Sequence, residues 1–427
     1  MNNRKNIFWM TVEKLMLLFN GVVFSIILAN TMAKEQFGIY MYIQMLVSLF
    51  AVLISLGLDN IVVRQLVNSF ESFSHYITNI LILRSIVFLT AVLVIFIYGS
   101  FFEEKEVVYL LLLQSIVLLQ YVFNSLWLLN QATVDNIPVA KISITTNLFS
   151  LIFKSSILYL AGSNILYLIM VDVFFVFVLC FFTVKLSKIK YKFKFSFNKF
   201  DNRYIMSTLK ESYPLLISAA AIVIYTKVDQ FMLKSIVGFA SVAEYSLALK
   251  VSQVWYFLPL IITSVYFPKL IKNKEASEID YKNTLSGLYS LMGGISLLMV
   301  VFHYFITPHL IPLFFPEEYD SLSDIVFLMS LSGIFVAMGY VNGKWMICEK
   351  NSFLDLYRNI LGLVFNILLN YILIPVYGID GAAVSTLISL LISSNLSFVL
   401  LKRTRAMFIF QNKYIFYFSK IKYLLKS

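Results

Sequence analysis

The chain has 427 residues, of which 60% are hydrophobic, 16% aromatic and only 13% charged, and its mean hydropathy is +0.83. A soluble globular protein has about 45–50% apolar and about 25% charged residues, so this composition excludes soluble enzymes, nucleic-acid-binding proteins, coiled coils and disulfide-stabilised secreted domains. The net charge of +11 is typical of a membrane protein whose cytoplasmic loops are rich in lysine and arginine.

Apolar runs long enough to cross a bilayer occur along the whole chain. A spanning helix needs about 20 mostly apolar residues, and the sequence contains about twelve such runs. They are too long for barrel strands and lack the alternation of barrel strands. We therefore predict an all-α integral membrane protein with short loops, whose spans cover residues 7–30, 38–58, 77–99, 107–130, 139–161, 164–184, 212–236, 242–266, 285–307, 322–346, 354–375 and 380–401.

The most basic segment, 185–210, separates the sixth predicted helix from the seventh. An even number of helices in each half predicts two parallel repeats related by a pseudo-two-fold axis along the membrane normal. Two short matches favour a repeat, Phe37–Tyr40 with Val242–Tyr245 and Asn124-x-x-Trp127 with Asn342-x-x-Trp345. The predicted domains are an N-terminal six-helix bundle at 1–190, a basic linker at 191–211, a C-terminal six-helix bundle at 212–402 and a basic tail at 403–427.

The basic residues lie mainly on one set of predicted loops. If the N-terminus is cytoplasmic, the segment 185–210 and the tail lie on the same side as the N-terminus. The opposite loops carry little more than three lysines and two acidic clusters, Glu103–Glu106 and Glu317–Asp320. Because cytoplasmic loops are enriched in lysine and arginine, we predict that both termini are cytoplasmic.

Charged residues inside the predicted spans are the candidate functional residues. A charge near the bilayer centre costs about 2.5–3.5 kcal/mol even on insertion scales, so it is retained where it faces a cavity or a partner. Lys227 and Asp229 lie near the middle of the seventh helix, and residues two apart on a helix do not face each other. The further intramembrane cations include Arg84, Lys154 and Lys250.

Two interpretations of these charges remain open from the residues alone. Lys227, Asp229 and Lys250 either line a wet cavity or form interhelical salt bridges. Lys154 could pair with Asp172 across the hairpin of the fifth and sixth helices. A cationic cavity would favour an anionic ligand, because lysine and arginine bind phosphates through charge-assisted hydrogen bonds. Neighbouring Asn, Gln, Ser and Tyr side chains suit a ligand rich in hydroxyl groups, so a phosphorylated, sugar-bearing substrate fits best.

The run Pro214–Gln230, which contains Tyr225-x-Lys227-x-Asp229-Gln230, resembles the seventh helix of polysaccharide-biosynthesis flippases. These flippases belong to the multidrug/oligosaccharidyl-lipid/polysaccharide exporter superfamily. Further matches to the family occur in the same order along most of the chain, at Ala33–Tyr40, Gly57–Arg64, Ala243–Ser246, Tyr266–Lys269 and Asn366–Ala383.

The resemblance implies a fold like that of the multidrug and toxin extrusion (MATE) transporters. It implies a flippase that moves a polyprenyl-pyrophosphate-linked oligosaccharide across the bacterial plasma (inner) membrane by alternating access, for O-antigen, capsule or exopolysaccharide synthesis. No catalytic residue, cofactor or nucleic acid is expected, and a polymerase and a chain-length regulator are expected partners. The expected substrate-binding cations are Lys34, Arg64, Arg84, Lys154, Lys227 and Lys250, and the expected coupling or charge-modulating carboxylates are Asp229 and Asp59.

One departure from the family pattern concerns Lys34 and Lys227, where the family often has arginine. The charge is kept, but the bidentate grip of a guanidinium on phosphate is lost. Two other classes remain as alternatives. A multidrug or cation antiporter of the same superfamily would favour buried carboxylates over lysines. An O-antigen polymerase would be expected to carry a large outer loop with basic residues, whereas the outer loops predicted here are short and acidic.

Overall fold

The computed structural model of the protein describes residues 3–349, 351–400, 402 and 404–425. All regular secondary structure in these ranges is helical. The α-helices are α1 (Asn3–Thr31), α2 (Lys34–Ser55), α3 (Asp59–Asn68), α4 (Phe73–Phe102), α5 (Lys105–Ser115), α6 (Leu119–Phe123), α7 (Trp127–Ala132), α8 (Ile137–Ala161), α9 (Ile165–Tyr191), α10 (Asn202–Ile236), α11 (Phe239–Gln253), α12 (Phe257–Ala276), α13 (Glu278–Phe305), α14 (Thr307–Phe314), α15 (Leu322–Cys348), α16 (Ser352–Leu391), α17 (Ser397–Leu400), α18 (Arg405–Tyr414) and α19 (Lys422–Leu425).

Eleven segments of the described chain are long and apolar enough to cross a membrane. The last of them, Phe353–Leu400, has 48 residues and contains two helices that meet at Gly378, where φ is 56° and ψ is −126°. Only glycine adopts this conformation readily, so the chain turns there. The eleventh and twelfth predicted helices both lie in this segment, and the prediction of an all-α, multi-pass membrane protein is confirmed.

Several helices differ from the predicted uniform spans. The fourth span consists of α5, α6 and α7, which are joined by 3₁₀ turns at Ile116–Leu118 and Asn124–Leu126. Between α2 and α3 the backbone is left-handed at Leu56 and Gly57, with φ of 55° and 64°. A Cβ on Gly57 would lie 3.0 Å from the Cβ of Leu215, so this turn needs both the positive φ and the missing side chain. The sequence did not predict α3, α14, α18 or α19 as helices.

The chain divides into two compact units, residues 1–223 (unit 1) and 224–427 (unit 2). In unit 1, α8 packs against both α1 and α9, and α4 packs against α2 and α5. In unit 2, α15 packs against α11, α13 and α16. The core of unit 2 contains fully buried side chains from α13 and α15, among them Leu288, Tyr289, Met292, Met338 and Val341. The domain boundaries predicted from the sequence stay a prediction.

The C-terminal segment packs against α13. The Ser290 hydroxyl donates to the carbonyl oxygens of Tyr414 and Tyr417, at 2.9 and 3.0 Å. A Cβ on Gly293 would lie 1.7 Å from the carbonyl oxygen of Ile415. Small residues on α13 therefore allow the backbone of the tail to approach the helix closely, as at helix interfaces in membranes.

Replacing Gly293 by alanine tests this close approach. The added methyl group cannot coexist with the Ile415 carbonyl, so the tail must move, and overpacking of this kind costs about 1–3 kcal/mol. We expect a lower melting temperature of the purified protein and faster proteolytic removal of the tail.

Gly294→Ala is the matched control, because its Cβ would lie at an ordinary 3.6 Å from Phe418. Equal melting temperatures and cleavage rates for the two variants would contradict the packing described here.

Candidate functional site

Arg84 lies buried at the junction of α2, α3 and α4 in unit 1. Its guanidinium forms an ion pair with Asp59, the first residue of α3, and donates to the carbonyl oxygen of Ser55 at 3.0 Å. The other terminal nitrogen donates to the Ser125 hydroxyl at 3.1 Å. The side chain of Arg84 is 1% exposed. A guanidinium has five fixed donors, so this residue joins four chain segments at once, and this geometry favours a structural role for Arg84 and Asp59.

Arg64 and Lys34 occupy different environments. Arg64 lies on α3 and forms an exposed ion pair with Glu211 of α10. Exposed ion pairs of this kind contribute about 0–1 kcal/mol, so Arg64 stays available to another anion. Lys34 is the first residue of α2 and is half-buried.

Lys154 of α8 and Asp172 of α9 form an ion pair in which the side chains are 11% and 14% exposed. The Tyr40 hydroxyl and the Gln44 amide of α2 both donate to Asp172 at 3.0 Å. The Lys154 ammonium also lies 4.8 Å from the centre of the Phe24 ring. The pairing of Lys154 with Asp172 across the helix hairpin is confirmed, and both charges are compensated inside unit 1.

Asp229 of α10 is buried in unit 2 and is held by three neutral donors. The Tyr245 hydroxyl, the Asn370 amide and the Thr386 hydroxyl each donate to its carboxylate at 2.6 Å. Tyr245 lies on α11, whereas Asn370 and Thr386 lie eight residues before and after Gly378 in α16. The turn at Gly378 therefore brings both of them to the same carboxylate. Hydrogen bonds from neutral donors stabilise an ionised carboxylate, but they supply no positive charge.

Two amide groups beside this carboxylate are incompletely bonded. The Asn370 amide nitrogen donates to Asp229 and, at 3.3 Å, to the Asn366 oxygen. The oxygen of Asn370 and the nitrogen of Asn366 are buried and have no hydrogen-bond partner among the described residues. Orphaned buried polar atoms are rare, and a bound water or ion is one way to satisfy them. We name Asp229, Tyr245, Asn366, Asn370 and Thr386 the Asp229 cluster.

Lys227 lies two residues before Asp229 on α10 and is half-buried. In the part of the chain that the structure describes, its ammonium forms neither an ion pair nor a hydrogen bond. Since Asp229 is held by neutral groups, the two residues do not neutralise each other, as the sequence predicted. No interhelical salt bridge forms at either residue within these ranges. Unit 2 therefore contains an intramembrane cation without a described counter-charge.

Gln230 lies three residues after Lys227 on α10, and Lys250 lies on α11. Lys250 of α11 is half-buried. The Gln230 amide donates to the Ser246 hydroxyl at 3.1 Å and thereby links α10 to α11. Among the described residues, no group of three or more His, Cys, Asp and Glu side chains is arranged to hold a metal ion.

The tyrosine and amide side chains that bind Asp172 and Asp229 were assigned no role from the sequence alone. Tyr40 and Tyr245 are the last residues of the matched segments Phe37–Tyr40 and Val242–Tyr245. Each donates its hydroxyl to an aspartate of its own unit, Asp172 and Asp229 respectively. The usable signal is helical spacing, because polar residues four apart share a face. Tyr40 with Gln44 and Asn366 with Asn370 both follow this rule in otherwise apolar helices.

Comparison with known proteins places the chain in a family. A family model described as "Polysaccharide biosynthesis protein" matches residues 4–274, which is more than half of the chain. The chain belongs to the polysaccharide biosynthesis protein family. The "Capsular polysaccharide biosynthesis protein CapF" of Staphylococcus aureus is 23% identical over 393 residues, which cover 90% of this chain and 96% of the relative.

Solved structures of similar fold include a transporter and a flippase. A MATE family transporter of the MOP superfamily in an inward-facing conformation has a TM-score of 0.70 at 13% identity, covering 94% of this chain and 96% of its own. The lipid II flippase MurJ in an inward closed conformation has a TM-score of 0.69 at 17% identity, covering 98% and 99%. The predicted MATE-like fold is thereby confirmed. At these identities the likeness concerns the fold alone.

Asp172→Ala tests whether the Lys154 ion pair is structural. The substitution leaves a largely buried ammonium without its counter-charge, and breaking a buried pair costs about 3–5 kcal/mol. We expect a large drop in melting temperature and in the yield of folded protein in detergent.

The double variant Lys154→Met, Asp172→Asn removes both charges and keeps an acceptor for Tyr40 and Gln44. We expect it to recover most of the lost stability. A double variant as unstable as Asp172→Ala would show that the charges themselves are required.

Proposed function

We propose that this protein is a flippase that carries a polyprenyl-pyrophosphate-linked oligosaccharide across the bacterial plasma membrane by alternating access. The observation that supports this most directly is Lys227, an intramembrane cation without a counter-charge among the described residues. Such a charge in a membrane span is unfavourable unless a partner, a water-filled cavity or a ligand compensates it, and the described residues provide no partner. An anionic ligand does so through charge-assisted hydrogen bonds, and the pyrophosphate of a lipid-linked sugar is such a ligand.

The family and the similar proteins support a substrate that carries both a saccharide and a lipid. A membership in the polysaccharide biosynthesis proteins, with a capsular polysaccharide biosynthesis protein among the relatives, supports a saccharide-bearing substrate. The fold shared with a lipid II flippase supports movement of a lipid-linked substrate between leaflets. The surface polymer served is O-antigen, capsule or exopolysaccharide, and the protein acts as a transporter and not as an enzyme.

The apolar composition supports a location in the plasma membrane, and the distribution of basic residues supports one orientation within it. The basic segment 185–210 and the tail favour the cytoplasmic side, which places both termini in the cytoplasm. The substrate then moves from the cytoplasmic to the outer leaflet. Partners in this pathway include a polymerase and a chain-length regulator, which act on the translocated repeat unit.

The predicted cations contribute unequally in this proposal. Lys227, Lys34 and Lys250 attract the pyrophosphate and sugar head group, and Arg64 attracts the head group at the cytoplasmic side. Arg84 and Lys154 act through their internal ion pairs with Asp59 and Asp172, which hold the helices of unit 1. Lysine provides a point charge without the planar fork of arginine, so contact with the phosphate tolerates several orientations.

The Asp229 cluster is our candidate for coupling transport to an ion gradient. The three neutral donors of this carboxylate supply no positive charge, and no described cation does, so a bound cation would compensate it. The unpaired oxygen of Asn370 adds a further acceptor beside it. Because Tyr245 and Thr386 come from different helices, loading this cluster would change the packing of α10, α11 and α16.

The multidrug antiporter has the same fold and is the nearest alternative. It would bind a cationic drug, and an uncompensated lysine on α10 would repel such a ligand. The polymerase alternative predicts chain extension instead of translocation. A deletion strain distinguishes them, since loss of the flippase leaves lipid-linked repeats on the inner leaflet, whereas loss of a polymerase leaves single repeats exposed outside.

Lys227→Ala and Lys227→Arg test the cation. We expect the alanine variant to lose export about tenfold or more, because a charge-assisted hydrogen bond contributes about 1.5–3 kcal/mol. The arginine variant keeps the charge and should retain most of the activity. Export is measured as surface polysaccharide at matched protein levels in the deletion strain.

Lys210→Ala on the exposed, cytoplasmic part of α10 is the matched control and should leave export unchanged. Full export by Lys227→Ala would refute the role of this cation.

Asp229→Asn tests the coupling. The amide keeps the size of the side chain and removes its charge, so gradient-driven transport in vesicles should fall to the rate without a gradient. Proton and sodium gradients are imposed separately to identify the coupled ion. Unchanged acceleration by both gradients in the variant would rule out Asp229 as the coupling group.

A further inference from the structure

A groove of about 800 Å³ lies at one end of unit 1, where the beginnings of α2 and α5 meet the turn between α8 and α9. This volume falls in the range of about 300–1,000 Å³ that is usual for small-molecule sites. We call it the unit 1 groove, and its polar lining consists of Gln36, Lys105, Glu106, Tyr109, Ser163 and Asn164.

The groove and the basic segment lie at opposite ends of α9. The groove lies at the N-terminal end of α9, whereas the segment 185–210 contains the C-terminal end of α9 and continues beyond it. With 27 residues at 1.5 Å each, the two ends of α9 are about 40 Å apart. In the proposed orientation the groove therefore opens on the outer side of the membrane.

The charge of the groove argues against a phosphate ligand. Lys105 is the only cation among the described residues that line it, and Glu106 follows it directly. Phosphate sites usually gather several cations, whereas the single cation of this groove lies beside a carboxylate. The rest of the lining is apolar and is interrupted by two amides, two hydroxyls and two charged side chains, so a ligand with both polar and apolar parts fits the groove better than a purely apolar one.

The side-chain amides of Gln36 and Asn164 both accept hydrogen bonds through their oxygens. The Asn164 side-chain oxygen accepts from the backbone nitrogen of Leu166 at 2.9 Å and caps α9. The Gln36 side-chain oxygen accepts from the Ser163 hydroxyl at 3.4 Å. Both amides thus use their oxygen, and neither amide nitrogen has a partner within the described ranges. Their donors remain available to a ligand rich in hydroxyl oxygens.

Tyr109 adds an apolar platform to these donors. Its side chain is 55% exposed and stands at the wall of the groove. A tyrosine ring offers a flat apolar face with a polar end, which suits a ligand with an apolar face and polar edges. A pyranose ring has this character, since its C–H bonds form a face and its hydroxyl groups lie around the edge.

We propose that the unit 1 groove binds the saccharide part of the substrate on the outer side and thereby favours a complete repeat unit over a shorter one. This assignment rests on the proposed flippase function and names the part of the substrate that the groove recognises. The pyrophosphate is held elsewhere, by the cations of the proposed transport site.

The test compares two fluorescent substrates in proteoliposomes. One is the complete lipid-linked repeat unit, and the other carries only its first sugar on the same polyprenyl pyrophosphate. We expect Tyr109→Ala combined with Gln36→Ala to slow the complete substrate about fivefold, the effect of losing about 1 kcal/mol of contact, and to leave the single-sugar substrate unchanged. Tyr109→Phe keeps the ring and should behave like the unaltered protein.

The control is Tyr159→Ala, which removes an exposed tyrosine from the same end of α8 outside the groove and should affect neither substrate. Equal slowing of both substrates, or of neither, by the groove variant would overturn the saccharide assignment while leaving the flippase function intact. If the unaltered protein moves neither substrate, the proposed function fails, and the groove assignment fails with it.

A labelling experiment tests occupancy directly. A cysteine in place of the half-exposed Ser163, which lines the groove and keeps both amide donors in place, reacts with a membrane-impermeant maleimide in a chain without its two native cysteines. The repeat-unit oligosaccharide, released from its lipid by mild acid, should slow this reaction but not the reaction of Tyr159→Cys. Identical rates with and without the oligosaccharide would contradict the proposal.

Discussion

A charge placed inside a lipid bilayer must be compensated within the protein or by a ligand, and this requirement organises the polar interior of the molecule. Arg84 is compensated by Asp59, and Lys154 by Asp172, so that each pair also ties together helices of unit 1. Breaking such a pair exposes the full desolvation cost of the remaining charge. Lys227 lacks such a partner in the described chain, and for this reason it is the cation most suited to an anionic substrate.

Asp229 follows the same requirement in a different way. Three hydroxyl and amide donors hold its carboxylate, and the turn at Gly378 brings two of them together. Tyr40 and Tyr245 occupy matching positions in the two halves of the sequence, and each reaches an aspartate. In unit 1 that aspartate also has a lysine, whereas in unit 2 it has only neutral donors. The two units thus differ in whether their carboxylate is already compensated by a cation.

The fold alone does not distinguish a drug antiporter from a lipid flippase, because both kinds of protein share it. The distinction depends on which charges face the ligand. Buried carboxylates suit cationic drugs, whereas an uncompensated lysine suits an anion. The family membership points towards a saccharide-bearing substrate, and the groove in unit 1, with its amide donors and exposed tyrosine ring, suits the sugar part of such a substrate.

The sequence by itself determined the membrane class, the number and approximate limits of the spans, the family and the separation of Lys227 from Asp229, because hydropathy and helical spacing are local properties. It left open which carboxylate compensates which cation, since partners such as Arg84 and Asp59, or Asp229 and Thr386, are brought together only by packing. The short helix α3 and the docking of the tail on α13 were likewise outside its reach. They depend on left-handed residues and on glycines that allow two backbones to touch, and such contacts join segments far apart in the chain.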